Sequence, residues 1–173
     1  HTLAGRTFLS RVLSAVHGLG PARTAVVVRY QADLVARAAL DSDPEAVIVR
    51  QDEVPGTGRA VQCAIRQLDA QGPLDGPVLI AASDMPLLDA GTLSRLVEFH
   101  ESGDDVATVL TTILDDPAGY GRIIRRADGR VLRIVEQKDA NGSELAVHEV
   151  NTSVYVFDAS VLRAAVAGLN SRN

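Results

Sequence analysis

Tryptophan is absent and aromatic residues make up only 3% of this 173-residue chain, so its core must be aliphatic. A single cysteine, Cys63, excludes an internal disulfide framework and a zinc centre built from cysteines, and it fits a reducing cytoplasm. With Arg59 and Arg66 one turn to either side but no histidine close in sequence, Cys63 reads as a core or interface residue rather than a nucleophile. No apolar run reaches the roughly 18 residues of a membrane span, and the first residues are not those of a signal peptide. The chain also lacks a Lys/Arg block, and a net charge of −5 argues against a broad nucleic-acid footprint, though a few local groups suffice for a small nucleotide. No Ser/His/Asp or Cys/His constellation is on offer for covalent catalysis. The four histidines, His1, His17, His100 and His148, fall at element ends without ligand spacing and are expected at the surface.

What is present is ample apolar material, 46% of the chain, enough for one globular domain or most of one. Its organising stretch is Pro77 to Leu88, PVLIAASDMPLL. Val78 to Ala82 is apolar without alternation, the pattern of a strand covered on both faces in a parallel sheet. Asp84 follows directly, where ligands of open α/β sheets sit, just beyond a strand's carboxyl end. A carboxylate there can hold Mg²⁺ through oxygen and favour a phosphate-bearing substrate. The plainer reading of the same residues is a turn opened by Asp84 with Ser83 and Pro86.

Strands and helices alternate around this stretch. Phe8, Leu9, Val12, Leu13 and Val16 recur at helical spacing behind a Thr7 cap. Thr24 to Val28 and Ala46 to Val49 read as buried strands, with a helix from Gln31 to Leu40 between them. Further helices are expected from Thr57 or Gly58 to Ala70 and from Ala90 to Glu101. The alternation predicts an α/β fold with a Rossmann-like, mixed, mainly parallel sheet flanked by helices. After Gly103 the texture becomes β-rich: Val106 to Leu114, then a β-hairpin of Arg122 to Arg125 and Val131 to Gln137 around Ala127-Asp128-Gly129. A polar connection from Lys138 to Leu145, a strand from Glu149 to Phe157 and a closing helix from Ala159 to Leu169 complete the chain.

Several loops could carry chemistry. Gly56-Thr57-Gly58 opens a helix whose free N–H groups can face a phosphate or a base carbonyl, although capping alone explains Thr57 equally well. Gln51 offers a side-chain amide suited to an imide edge such as uracil's, or is simply a solvated loop residue. Gly119-Tyr120-Gly121 lets the backbone approach a ligand or bend tightly. Glu136 at a strand end and Asn151 inside a strand could bond a polyhydroxylated ligand or pair with local backbone. The acid pairs Asp104-Asp105 and Asp115-Asp116 read as solvated turns.

Taken in order, LAGR, QDEVPGTGRAVQ, SDMPLL, LDDPAGYGRI, VEQKDA and EVNTSVYVFD resemble, over nearly the whole chain, the uridylyltransferase domain of the bacterial GlmU family of sugar nucleotidyltransferases. The resemblance implies the nucleotide-diphospho-sugar transferase fold and a Mg²⁺-dependent transfer of UMP from UTP to N-acetylglucosamine 1-phosphate. The products would be pyrophosphate and UDP-N-acetylglucosamine, a precursor of peptidoglycan and the cell envelope. It further implies that Gln51, Gly56 and Thr57 read uracil, that Asp84 holds the metal, and that Ala82 and Ser83 line the nucleotide beside it. Gly121, Glu136 and Asn151 would hold the amino sugar, with Thr152 adjacent. Residues 1–103 would then be a nucleotide-binding half and 104–173 a hairpin-containing sugar-binding half.

Two local departures stand out: Ala82-Ser83 precede the acid where the family usually ends in Gly, and Ser153 stands where Gly follows Asn-Thr. The family's first strand, with its Gly-rich loop, Arg and Pro-Lys pair, is not in this sequence, nor is the end of the domain with a second metal-binding Asn. The acetyltransferase half through which family members form homotrimers is missing too. Those first residues supply a phosphate cradle and its cations, so the 173-residue polypeptide alone is expected to be an incomplete, inactive domain. A related enzyme using another sugar 1-phosphate, or a non-catalytic nucleotide-sugar-binding domain, are the alternatives. The expected setting is the cytoplasm, without nucleic-acid or membrane partners.

Overall fold

A computed structural model describes residues 1–168; Leu169, the expected end of the last helix, lies outside the described residues. The chain opens with a small hairpin, β1 (Thr2–Leu3) and β2 (Arg6–Thr7), where sequence alone suggested a plain lead-in. Ala4 and Gly5 between them have φ of 49° and 77°, the left-handed pair that a two-residue turn of matching twist requires. Helix α1 (Phe8–His17) follows, with the Thr7 hydroxyl accepting from the Ser10 N–H at 3.1 Å as its expected cap.

Strands β3 (Ala25–Val28) and β4 (Val47–Arg50) pair in parallel and are joined by α2 (Ala32–Ser42). Then come α3 (Thr57–Asp69), β5 (Pro77–Ala81) and α4 (Ala90–Glu101). The second half adds β6 (Ala107–Ile113), the expected hairpin of β7 (Arg122–Arg125) and β8 (Val131–Val135), and the long β9 (Glu149–Asp158). A short helix, α5 (Gly142–Leu145), interrupts the polar connection, and α6 (Ala159–Ala167) follows β9.

The α/β class with helices flanking a sheet is as expected, but beyond the opening hairpin the described strands form a parallel pair and a separate antiparallel sheet instead of one mixed, mainly parallel sheet. Among the described strands the parallel pairing is that of β3 with β4, whereas β5, β6 and β7 all pair antiparallel with β9. The unalternating run in β5 reports two covered faces, and both are covered. Leu79 and Ala81 pack with α1 and α4, while Val78 and Ile80 pack toward α3 and α6. Coverage says nothing about the direction of the neighbouring strand, which is why sequence pattern missed the antiparallel partner. Among the described residues β3 pairs only with β4 and β5 only with β9, so each leaves one edge without a strand.

Helix α1 ties the two sheets together, because Leu13 belongs to the apolar cluster of β3 and α2 while Ala15 belongs to that of β5, β9 and α4. His100 corrects the expectation of four surface histidines: it is 4% exposed on the inner face of α4, between the Thr108 hydroxyl at 3.0 Å and Asp158 at 3.3 Å. Position at a helix end does not reveal which face is covered. On the opposite side, α6 is fastened to the turn after α3. Arg163 donates to both oxygens of Asp69 at 2.8 and 3.0 Å and to the Leu74 carbonyl at 3.1 Å, and Asp69 also accepts from the Leu74 N–H. The Arg163 hydrogen bonds hold the Asp69 carboxyl down at about 2, against 3.8 for an ordinary aspartate.

A carboxyl lowered on folding stabilises the fold above its unfolded value and loses that contribution as pH falls through its folded value. Urea midpoints of the wild type should therefore drop additionally between pH 3.8 and about 2. Asp69→Asn should be less stable at neutral pH and show a shallower decline across that window; parallel curves for the two proteins would refute the assignment.

Candidate functional site

Strand β9 departs from regular pairing at its middle. Val109 of β6 faces Tyr155 and Thr111 faces Asn151, so β6 advances two residues while β9 advances four. The surplus is taken up by Thr152 to Val154, with Ser153 in the left-handed region at φ 61°. Residues four apart on a regular strand lie about 13 Å apart, and the bulge reduces that to roughly the 7 Å of a two-residue step. The Asn151 amide thus reaches the Tyr155 hydroxyl, Nδ2 donating at 2.6 Å. Its Oδ1 accepts from the Ser153 N–H at 3.0 Å. Thr152 turns toward β6, its hydroxyl donating at 2.7 Å to the carbonyl of Leu110, the residue that the register skips.

The same segment is where two strands change over on one edge of β9. With β6 along the other edge, β5 occupies Val154 to Asp158 and β7 joins at Val150, where the Asn151 N–H donates to the Gly121 carbonyl at 2.9 Å. Ala81 of β5 faces Val154, so Ala82, Ser83 and Asp84 leave the sheet beside the bulge. Gly121, at the mouth of β7, is a close approach. A Cβ there would lie 3.2 Å from Ile134 and 3.3 Å from Glu136 Oε1, so glycine lets that carboxylate rest against the main chain without a shift of either side chain. The loop before it is held from both ends: the Gly119 N–H donates to the Gln137 side chain, and the buried Arg122 guanidinium donates to the Tyr120 carbonyl.

Gly121, Glu136 and Asn151 therefore gather at one place, with the end of β5 led there by register, and Tyr155 joins them. Burial raises the Tyr155 phenol above its ordinary value; the Asn151 hydrogen bond opposes this and the Glu136 charge adds to it. Sequence reading passed over Tyr155. Its signal was the period of two from Asn151, which puts residue 155 on the same face.

Gln51, Gly56 and Thr57 form a second group at the end of β4, on the other sheet. Both amide hydrogens of Gln51 close its own loop, donating to the carbonyls of Val54 at 2.8 Å and Gly56 at 3.1 Å, which leaves Oε1 as an acceptor without a partner among the described residues. Gly56 caps α3 at φ 111°, a conformation reserved for glycine, and Thr57 begins the helix, where first-turn amides and the helix dipole favour an acceptor. Arg59 clamps the loop through Asp52, whose carboxyl it lowers. No hydrogen bond or ion pair among the described residues joins this group to Asp84.

Asp84 is exposed and forms no ion pair among the described residues. No cluster of three or more His, Cys, Asp or Glu side chains there could encage a metal unaided. A lone unpaired carboxylate at a strand end fits Mg²⁺, which keeps its waters and takes one or two carboxylates plus substrate phosphates. No helix among the described residues is long and apolar enough to cross a membrane.

The MobA-like NTP transferase domain matches residues 1–143. The bifunctional protein GlmU of Bifidobacterium longum subsp. infantis is 68% identical over all 173 residues, and that of Pseudarthrobacter chlorophenolicus 46%. The chain spans 38% and 35% of those two proteins, little more than a third of each. Among solved structures, HddC from Yersinia pseudotuberculosis superimposes with a TM-score of 0.68 at 18% identity, over 95% of this chain and 68% of that one. The 4-diphosphocytidyl-2C-methyl-D-erythritol synthase from Anaerococcus prevotii does so with 0.64 at 16%, over 96% and 66%. At such identities the likeness is one of fold.

The left-handed Ser153 generates a direct test. Ser153→Gly should stabilise the chain by about 1 kcal/mol by removing backbone strain at the bulge, read as a higher urea midpoint at unchanged slope. A lower midpoint would mean that Ser153 is not strained there.

Proposed function

The chain belongs to the MobA-like NTP transferase domain family, and from that premise we propose that this nucleotidyltransferase domain transfers UMP from UTP to N-acetylglucosamine 1-phosphate. The observation that carries the reading is the changeover on β9. It leads the end of β5, from which the chain runs on to Asp84, alongside the strand that carries Asn151 and Tyr155, with Gly121 and Glu136 gathered next to Asn151. Nucleotidyl transfer needs such an arrangement, since two anionic substrates must lie side by side with charge compensation between them.

A phosphate oxygen of the sugar phosphate attacks the α-phosphorus of UTP in line, the bond to the β-phosphate bridging oxygen breaks, and pyrophosphate leaves. No protein nucleophile takes part in such an in-line displacement. The residues of this chain orient the partners. At the end of β4, the Gln51 Oε1 acceptor suits the N3–H of uracil, and the backbone N–H groups of Gly56 and Thr57 suit its carbonyls. Ala82 and Ser83 flank the nucleotide. Gly121, Glu136 and Asn151 hold the acceptor's hydroxyl and acetamido groups, while Thr152 keeps the bulge in shape. Mg²⁺ held by Asp84 and the substrate phosphates would supply charge neutralisation at the transferring phosphoryl group. In this reading residues 1–103 serve the nucleotide and 104–173 the sugar, in a cytoplasmic step that consumes a nucleoside triphosphate.

Pyrophosphate release by the full-length protein from UTP, Mg²⁺ and N-acetylglucosamine 1-phosphate tests the reading, with glucose 1-phosphate as comparison acceptor. The amino sugar should be strongly preferred; release with glucose 1-phosphate alone would overturn the acceptor and keep the reaction class. Asp84→Asn should lower turnover about 100-fold or more with thermal unfolding unchanged, and full activity in that variant would remove Asp84 from the metal site.

A further inference from the structure

We propose that Tyr155 is the positioning residue of the acceptor site: its hydroxyl locks the Asn151 amide so that Asn151 presents one N–H donor to the sugar. The proposal rests on the acceptor reading above and goes beyond it in assigning a residue and a polarity. The orientation of the amide follows from its partners. The Ser153 main-chain N–H can only donate, so the atom facing it at 3.0 Å must be the Asn151 carbonyl oxygen. The amide nitrogen then faces the Tyr155 oxygen at 2.6 Å. One of its two hydrogens is taken by that contact, which leaves a single N–H for a ligand.

Tyr155 is itself held in place. It is half-buried on β9 between Ile80 of β5 and Val109 of β6, and its ring lies 5.9 Å from that of Phe157. Because the phenol oxygen accepts from Asn151, its own proton is free to donate. Burial together with the Glu136 charge keeps it protonated well into the alkaline range. The cluster thus offers a ligand an N–H and an O–H as donors beside the Glu136 carboxylate as acceptor. That set matches a group with a carbonyl or hydroxyl oxygen adjacent to hydroxyl donors, as on an N-acetylated pyranose. Without the phenol oxygen, Asn151 is tied only through its oxygen and its NH₂ loses the direction the ligand requires.

Tyr155→Phe keeps the ring and removes one oxygen. In the full-length enzyme it should raise KM for N-acetylglucosamine 1-phosphate about tenfold, the loss of one hydrogen bond of about 1.4 kcal/mol, with KM for UTP and kcat nearly unchanged. In the present chain, the Asn151 side-chain NH₂ should give two separated nitrogen-correlated proton resonances, one exchanging slowly. In Tyr155→Phe that protection should be lost. A merely structural role would instead lower the melting temperature and affect both substrates alike. An unchanged acceptor KM in an active enzyme overturns the positioning role and leaves the proposed reaction standing. An enzyme that transfers to no amino-sugar phosphate overturns the acceptor reading and this proposal with it.

Discussion

Register in β9 decides where the polar groups of the antiparallel sheet can meet. One strand has to satisfy β6 along one edge and, along the other, β5 over its second half and β7 near its start. A regular strand could pair with all three, but it would carry Asn151 and Tyr155 too far apart to touch. The two-residue surplus at Thr152 to Val154 costs one left-handed serine and one skipped carbonyl, and the second cost is offset by the Thr152 hydroxyl. In return, the polar side chains meet where β5 ends.

The packing around β9 explains why such a distortion survives. Val150 and Val156, on either side of the bulge, and Val154 at its end are fully buried, so the strand is pinned by its apolar residues while Asn151 and Tyr155 lie on the opposite face. The Gly119 to Gly121 loop approaches from β7 under comparable restraint, gripped by the Gln137 side chain and by a guanidinium almost without solvent contact. Strand residues deliver most of the side chains that could face a ligand, and the loop between Gly119 and Gly121 is tied by hydrogen bonds at both ends.

Much of this was legible one residue at a time, because local chemistry decides it. The Thr7 cap, the turn of the hairpin at Gly129 and the two covered faces of β5 all follow from nearest neighbours and periodicity. Asn141 and Glu144, three apart, even announce the capping box of a short helix in a segment read as mere connection. What could not be read is what depends on partners distant in sequence. The antiparallel setting of β5, the burial of His100 and the meeting of Asn151 with Tyr155 each require knowing which strand lies alongside. The gathering of Gly121, Glu136 and Asn151 rests likewise on the pairing of β7 with β9, nearly thirty residues apart in sequence. Their roles toward a ligand came from resemblance, and geometry adds only that they stand together.

Among the outer strands of the described sheets, the open edges of β3 and β5 are the ones that would accept an incoming extended chain most readily. Ala25-Val26-Val27-Val28 carries no charge, no proline and high β-propensity, the composition least able to discourage an incoming extended chain. On β5 only Pro77, which lacks an N–H, blunts the edge, and it does so at the end farthest from Asp84. An added strand would therefore dock at these sheet margins and not at the apolar clusters around α1. An unfolding midpoint and a solubility limit measured on this polypeptide would report on different parts of the molecule.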